Sequence, residues 1–201
     1  MKLYMKPGAC SLASHIVLRE AGLPFDLVKV DLATKTVEGG GDFLAVTPKG
    51  QVPTLGLDDG AILTEGPVIL QYVADQAAEK NLIPPHGSLE RYRVLEWLNF
   101  VGTELHKTFS PLFRPTTPDA FKAIVKETLA AKLGVLDKRL AGNAFLAGDR
   151  FTVADAYAFT VLRWAAPMGI ELARWPNVAA YFARVGERPA VRDALTAEGL
   201  A

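Results

Sequence analysis

Cys10 is the only cysteine among 201 residues. It stands in Leu3-Tyr4-Met5-Lys6-Pro7-Gly8-Ala9-Cys10-Ser11-Leu12-Ala13. An apolar, strand-like run ends there, a Pro-Gly turn follows, and helical spacing begins at once. A thiol at the start of a helix meets the positive end of the macrodipole and several unpaired N–H groups. These favour the thiolate, which is the reactive form. The site could therefore bind a sulfur anion or supply one. The competing reading is a small buried hydrophobe, the common use of a free cysteine. A dithiol redox pair would need a second cysteine three residues on, where Ala13 stands. Local disulfide exchange is excluded, and any redox chemistry must borrow a thiol from outside.

Three further groups could do chemistry. In Gln51-Val52-Pro53-Thr54 a proline precedes a strand. A cis Val52–Pro53 bond there would leave the Val52 backbone free to pair with an extended, peptide-like ligand, as a sheet edge does. The alternative is an ordinary trans turn. In Thr64-Glu65-Gly66-Pro67 a helix begins after a strand. Glu65 gains there from the helix dipole with or without a ligand. As a binding group it would receive an ammonium, with the Gly66 N–H donating to a carboxylate. Asn99, Thr103 and His106 share one face of a long helix at i, i+4 and i+7, flanked by Glu104 and Lys107. The uncharged amide, hydroxyl and imidazole suit a cleft wall, although a polar stripe also serves as a solvated face. His106 or Lys107 could stabilise a thiolate or protonate a leaving group.

The elements that must position these residues divide the chain in two. The pattern predicts β-α-β-(α)-β-β-α over the first eighty residues. Its strands are Lys2–Met5, Phe25–Leu32, Thr54–Leu57 and Ala61–Leu63, the last two flanking the hairpin signal Asp58-Asp59-Gly60. Ser11 is expected to cap a helix that Gly22 and Pro24 end. Thr34–Gly41 reads as a loop, Asp42–Val46 as a short helix and Glu65–Ala78 as a longer one. Glu79–Gly87, with Pro84, Pro85 and Gly87, marks a linker between domains at 1–80 and 87–201. Beyond it only helices are expected. One runs from the Ser88 cap to about Ser110. The next carries Phe121, Ile124, Val125, Leu129, Leu133, Leu136 and Leu140 on one stripe. Thr152-Val153-Ala154-Asp155 is a capping-box variant with Phe151 and Ala156 as its hydrophobic staple. Pro176 and Pro189 suit the first turns of two more helices.

Half the residues are hydrophobic, 22% are charged, and the net charge is zero. This is an ordinary globular composition with no basic excess to hold nucleic acid. No signal peptide or membrane span is legible, and a cytoplasmic location is expected. His15 reads as packing or interface. Three scattered histidines and one cysteine lack metal-ligand spacing. Neither a phosphate-binding Gly-Lys-Ser/Thr loop nor Gly-x-Ser-x-Gly occurs.

Taken together, these segments resemble the cytosolic glutathione transferases, most closely the bacterial beta class, along the whole chain. The likeness rests on Met1-Lys2-Leu3-Tyr4 with Pro7-Gly8-Ala9-Cys10-Ser11, Pro48-Lys49-Gly50-Gln51-Val52-Pro53 and Leu63-Thr64-Glu65-Gly66. It continues through Glu96-Trp97-Leu98-Asn99-Phe100, Thr103-Glu104-Leu105-His106-Lys107, Phe151-Thr152-Val153-Ala154-Asp155-Ala156-Tyr157 and Arg188-Pro189-Ala190-Val191. It implies a thioredoxin-like N-terminal domain, an all-helical C-terminal domain contributing the electrophile pocket, and a homodimer. Glutathione would be a co-substrate, with no tightly bound cofactor, and the partner substrate a small hydrophobic electrophile. By likeness, Cys10 lies beside the glutathione sulfur, and Lys35 and Gln51 reach the glycyl end. Val52 pairs with the cysteinyl backbone before a cis Pro53, and Glu65 and Gly66 hold the γ-glutamyl end. Asn99, Thr103, Glu104, Leu105 and His106 line the site from the helical domain, some across the dimer. Cys10, His106 and Lys107 are the catalytic candidates, with Tyr4 and Ser11 as fallbacks for thiol contact. Phe109, Phe113 and Trp164 are candidate pocket aromatics. Other members carry serine at position 66, whereas Gly66 keeps only its N–H; one lost hydrogen bond is worth ~0.5–1.5 kcal/mol. The implied activity is conjugation of glutathione to electrophiles in detoxification. The alternatives are a reductase using Cys10 as a mixed-disulfide partner and a non-catalytic carrier of hydrophobic ligands.

Overall fold

Alternation along Lys2–Met5 (β1) sends Leu3 and Met5 to a fully buried face and Tyr4 to the other, as the two-residue period of a strand requires. The computed structural model describes residues 1–201 and places β1 at the centre of a five-stranded sheet. Its neighbours are Asp26–Asp31 (β2), parallel in the register Leu3 to Leu27, and Thr54–Gly56 (β4), antiparallel in the register Leu3 to Leu55. Ile62–Thr64 (β5) extends one edge. The other edge is Thr36–Val37 (β3), inside the expected loop. Two residues are too short to show a period, so the sequence could not mark that strand.

The parallel β1–β2 pair needs a crossover, and Ser11–Ala21 (α1) supplies it. Gly22 closes α1 in the left-handed conformation, φ 69°, as its position past the last apolar residue implied. α1 packs against Gly66–Asp75 (α3). Phe43–Val46 (α2), capped by Asp42, contributes Phe43 to a second cluster with Val30 and Val52, joined by Tyr4. Helices therefore cover both faces, which is why β2 carries apolar residues on both.

Two compact units result, Met1–Ile83 with Arg188–Ala201, and Pro84–Glu187. The last fourteen residues belong with the first unit rather than with the helical one. Pro189–Ala197 (α9) packs on α1, with both Arg188 Nε and Nη2 donating to Glu20 at 2.6 and 2.9 Å. Glu198, completely buried, accepts from His15 Nδ1 at 2.9 Å and from the Gly8 N–H at 2.9 Å. Arg19 Nε donates to His15 Nε2 at 2.8 Å, which fixes the ring proton on Nδ1. The C-terminal segment is thus tied to the loop that presents Cys10.

The second unit contains Leu89–Phe100 (α4), Lys107–Phe109 (α5), Asp119–Leu140 (α6), Val153–Leu162 (α7) and Pro176–Gly186 (α8). Ser88 Oγ caps α4 by accepting from Arg91 N–H. On α6, Val125, Leu129, Leu133, Leu136 and Leu140 are buried, but Phe121 and Ile124 are exposed. The apolar stripe predicted from spacing is therefore too wide by its first turn. At α7 the carboxylate of Asp155, wholly buried, accepts from Thr152 N–H and Oγ1, Leu146 N–H and Tyr181 Oη. Desolvation raises its pKa against these hydrogen bonds and raises that of Tyr181 further. No helix is long and apolar enough to cross a membrane.

Candidate active site

The first unit gathers six of the expected site residues around the β1–α1 turn. Cys10, not Ser11, occupies the cap position of α1, without a side-chain cap hydrogen bond. Ser11 instead ties the turn, its Oγ accepting from Lys6 N–H and donating to Lys6 C=O, each at 3.2 Å. Spacing alone could not separate the two roles, because hydroxyls serve both caps and turns. Cys10 Sγ donates to the Val52 carbonyl at 3.2 Å. The thiol thereby ties the start of α1 to the Val52 backbone.

The Val52–Pro53 bond is cis. A Cβ placed on Gly66 would lie 3.7 Å from Pro53 Cγ, so the start of α3 abuts this turn. Glu65 precedes it with φ 69°, a left-handed backbone uncommon for a residue with a side chain. Cys10 and Val52 are thus in contact, and the start of α3 at Glu65 and Gly66 lies close to Pro53. Lys35, also left-handed with φ 59°, donates from Nζ to Gly50 C=O at 2.9 Å, beside the exposed Gln51. Sequence reasoning passed over Lys49. Its Nζ lies 2.6 Å from Glu65 Oε1 and donates to Thr64 Oγ1 at 2.9 Å. The only available signal was its place in the Pro48–Pro53 run, and a surface lysine is the commonest lysine.

The second unit holds the other six. The helix begun by α4 opens into a π-helical turn over Val101–His106 before α5, a device often found at functional positions. The widened turn changes the face expected from a strict 3.6 period. Asn99, Thr103 and Lys107 are exposed, Thr103 Oγ1 donating to Asn99 C=O at 3.0 Å. Glu104 is half-buried and ion-paired with Lys132 of α6. Leu105 is completely buried, backbone included, so it presents nothing to a ligand from this helix.

His106 Nδ1 lies 2.6 Å from Tyr157 Oη, and the ring packs edge-on to Trp164 with centroids 4.9 Å apart. Burial, with the adjacent Lys107 ammonium adding to it, pushes its pKa down to about 4. The ring is therefore neutral near pH 7. It can offer a hydrogen bond but not the positive charge considered from sequence. Trp164 also meets Phe109 and Phe113 at 5.9 and 5.2 Å. Phe109 and Trp164 are buried, while Phe113 is half exposed and is the aromatic that presents a free edge.

Residues 8–76 match the family described as Glutathione S-transferase, N-terminal domain, and residues 100–189 the Glutathione S-transferase, C-terminal domain. The chain is 54% identical over 200 residues to Glutathione S-transferase GstA of Escherichia coli O157:H7, spanning all of both chains. The chain belongs to the glutathione S-transferase family. Among solved structures, a sphingomonad glutathione S-transferase complexed with glutathione shares 53% identity, full coverage of both chains and a TM-score of 0.97. A bacterial beta class glutathione S-transferase from Sphingomonas chungbukensis shares 52% identity, with the same coverage and TM-score. The thioredoxin-like sheet and the helical unit are those of this transferase fold.

Proposed function

We propose that this glutathione transferase binds glutathione along the Val52 edge of its first unit and conjugates it to small hydrophobic electrophiles. The observation that carries the reading is the 3.2 Å contact between Cys10 Sγ and the Val52 carbonyl. It sets a helix N-terminus against the backbone edge suited to a peptide ligand. The complex of the sphingomonad relative with glutathione supports the same ligand here.

In this reading the cysteinyl backbone pairs with Val52, Lys35 and Gln51 take the glycyl carboxylate, and Glu65 receives the γ-glutamyl ammonium beside the Gly66 N–H. The N-terminus of α1 stabilises the glutathione thiolate, whose proton passes to solvent. The sulfur forms a bond to the electrophilic carbon, and the leaving group departs with its electron pair. Cys10 touches the reacting sulfur without being consumed.

Assembly into a homodimer is part of the proposal. Leu89 and Tyr92 on α4 and Phe121 and Ile124 on α6 leave large apolar side chains in water, which a second copy would cover. The proposal extends to a detoxifying role in the cytoplasm. Titration calorimetry with glutathione tests the binding site: wild type should bind, and Glu65→Gln should bind at least tenfold more weakly. Equal affinity in the two proteins would refute the placement of the γ-glutamyl end.

A further inference from the structure

Lys49 has no part in the site just described, yet its ammonium occupies the place at Glu65 where a ligand ammonium is to sit. Three features of this pair bear on its use. Glu65 is held in a left-handed backbone, φ 69°, a conformation that commonly signals a functional constraint. The pair is half exposed, at 50% for the lysine and 60% for the carboxylate. Exposed pairs contribute little to stability, so its exchange is cheap. The neighbouring residue is Gly66, which offers a backbone N–H and no side-chain donor.

An α-amino acid head carries an ammonium and a carboxylate on one carbon. When its ammonium takes Glu65, its carboxylate necessarily lies beside the same group. The displaced Lys49 ammonium starts within 2.6 Å of Glu65 and swings on a flexible four-carbon stem. One ion pair then becomes two, and no charge is left uncompensated. We infer that Lys49 is a specificity-determining residue that releases Glu65 to the incoming ammonium and then binds the α-carboxylate of the γ-glutamyl head. It thereby supplies the donor that Gly66 lacks and selects ligands with a zwitterionic end. The inference rests on the reading of Glu65 as the ammonium receptor.

Calorimetry with two ligands tests it: glutathione, and 4-aminobutanoyl-cysteinylglycine, which is glutathione without the α-carboxylate. Lys49→Met keeps the apolar stem and removes the charge; Lys49→Arg keeps the charge. Lys49→Met should weaken glutathione about tenfold, the loss of roughly one charge-assisted hydrogen bond. It should leave the analogue unchanged or tighter, because Glu65 has lost its competitor. Lys49→Arg should hold glutathione within about threefold. A loss shared equally by both ligands, or no loss for glutathione, would overturn the role of Lys49. Failure of folded wild type to bind glutathione would overturn the site reading itself, and that result is visible before any variant is compared.

Discussion

Replacing Gly66 by serine should tighten glutathione binding, and the structure sets the size of the gain. Gly66 is the first residue of α3 and does not use the left-handed backbone that would exclude a side chain. A Cβ there meets Pro53 Cγ and Cδ at 3.7 and 3.9 Å, ordinary van der Waals contact. The Cβ of a serine can therefore be added without moving its neighbours. In the proposed pose the hydroxyl donates to the α-carboxylate that the Gly66 N–H already faces. One added hydrogen bond is worth about 0.5–1.5 kcal/mol, a two- to twelvefold fall in Kd. Gly66→Ala is the control, since it adds the Cβ and stiffens the unfolded chain by the same ~0.4–1 kcal/mol but brings no donor. Thermal melts of both variants should rise together, while only the serine variant gains affinity by calorimetry. If serine and alanine bind glutathione equally, the γ-glutamyl carboxylate does not lie at Gly66 and the pose is wrong.

Other outcomes follow from the buried polar groups. Glu198→Ala removes the carboxylate that accepts from His15 Nδ1 and from the Gly8 N–H. It should cost about 2–5 kcal/mol in urea denaturation and weaken glutathione binding by loosening the Cys10 turn; a loss under 1 kcal/mol would show the C-terminal tie to be dispensable. Asp155→Ala removes the acceptor for four donor groups and should cost about 3–5 kcal/mol in the same assay, with Asp155→Asn recovering only part. His106, with a folded pKa of about 4, is neutral in both states above ~pH 6.5. Below that the unfolded chain takes a proton that the native ring refuses. Its contribution is thus complete at neutral pH and lost as pH falls toward 4, by about 2 kcal/mol between pH 7 and pH 5. Urea midpoints of wild type and His106→Gln should converge as the pH is lowered, and parallel pH dependences would contradict the buried neutral ring.

Much of the fold was legible because its signals are local. The Gly22 terminator, the Ser88 cap, the Thr152–Asp155 box and the alternation of β1 each act over a few residues, and each is present. What escaped depends on distance in sequence. The return of α9 to α1 is specified by Arg188 with Glu20 and Glu198 with His15, pairs that spacing cannot reveal. The exposure of Phe121 and Ile124 breaks the stripe of α6 for want of a neighbour in the chain itself. The π turn at Val101–His106 shifted faces that a 3.6 period assigns. At the candidate site, the sequence motifs named Cys10 and Val52, which the fold brings into contact. The neutral state of His106 and the Lys49–Glu65 pair required the burial and contacts of the fold.

The most direct test is steady-state conjugation of an aryl halide with glutathione by wild type and Cys10→Ala side by side. Conjugation by wild type, retained within about tenfold in Cys10→Ala, is the result expected of a cysteine that neighbours the reacting sulfur. Absence of turnover in folded wild type across a panel of electrophiles would contradict the proposed transferase chemistry. Turnover abolished in Cys10→Ala, with a glutathione adduct on Cys10 in the intact mass of wild type, would contradict the neighbour role and make the mixed disulfide the chemical centre.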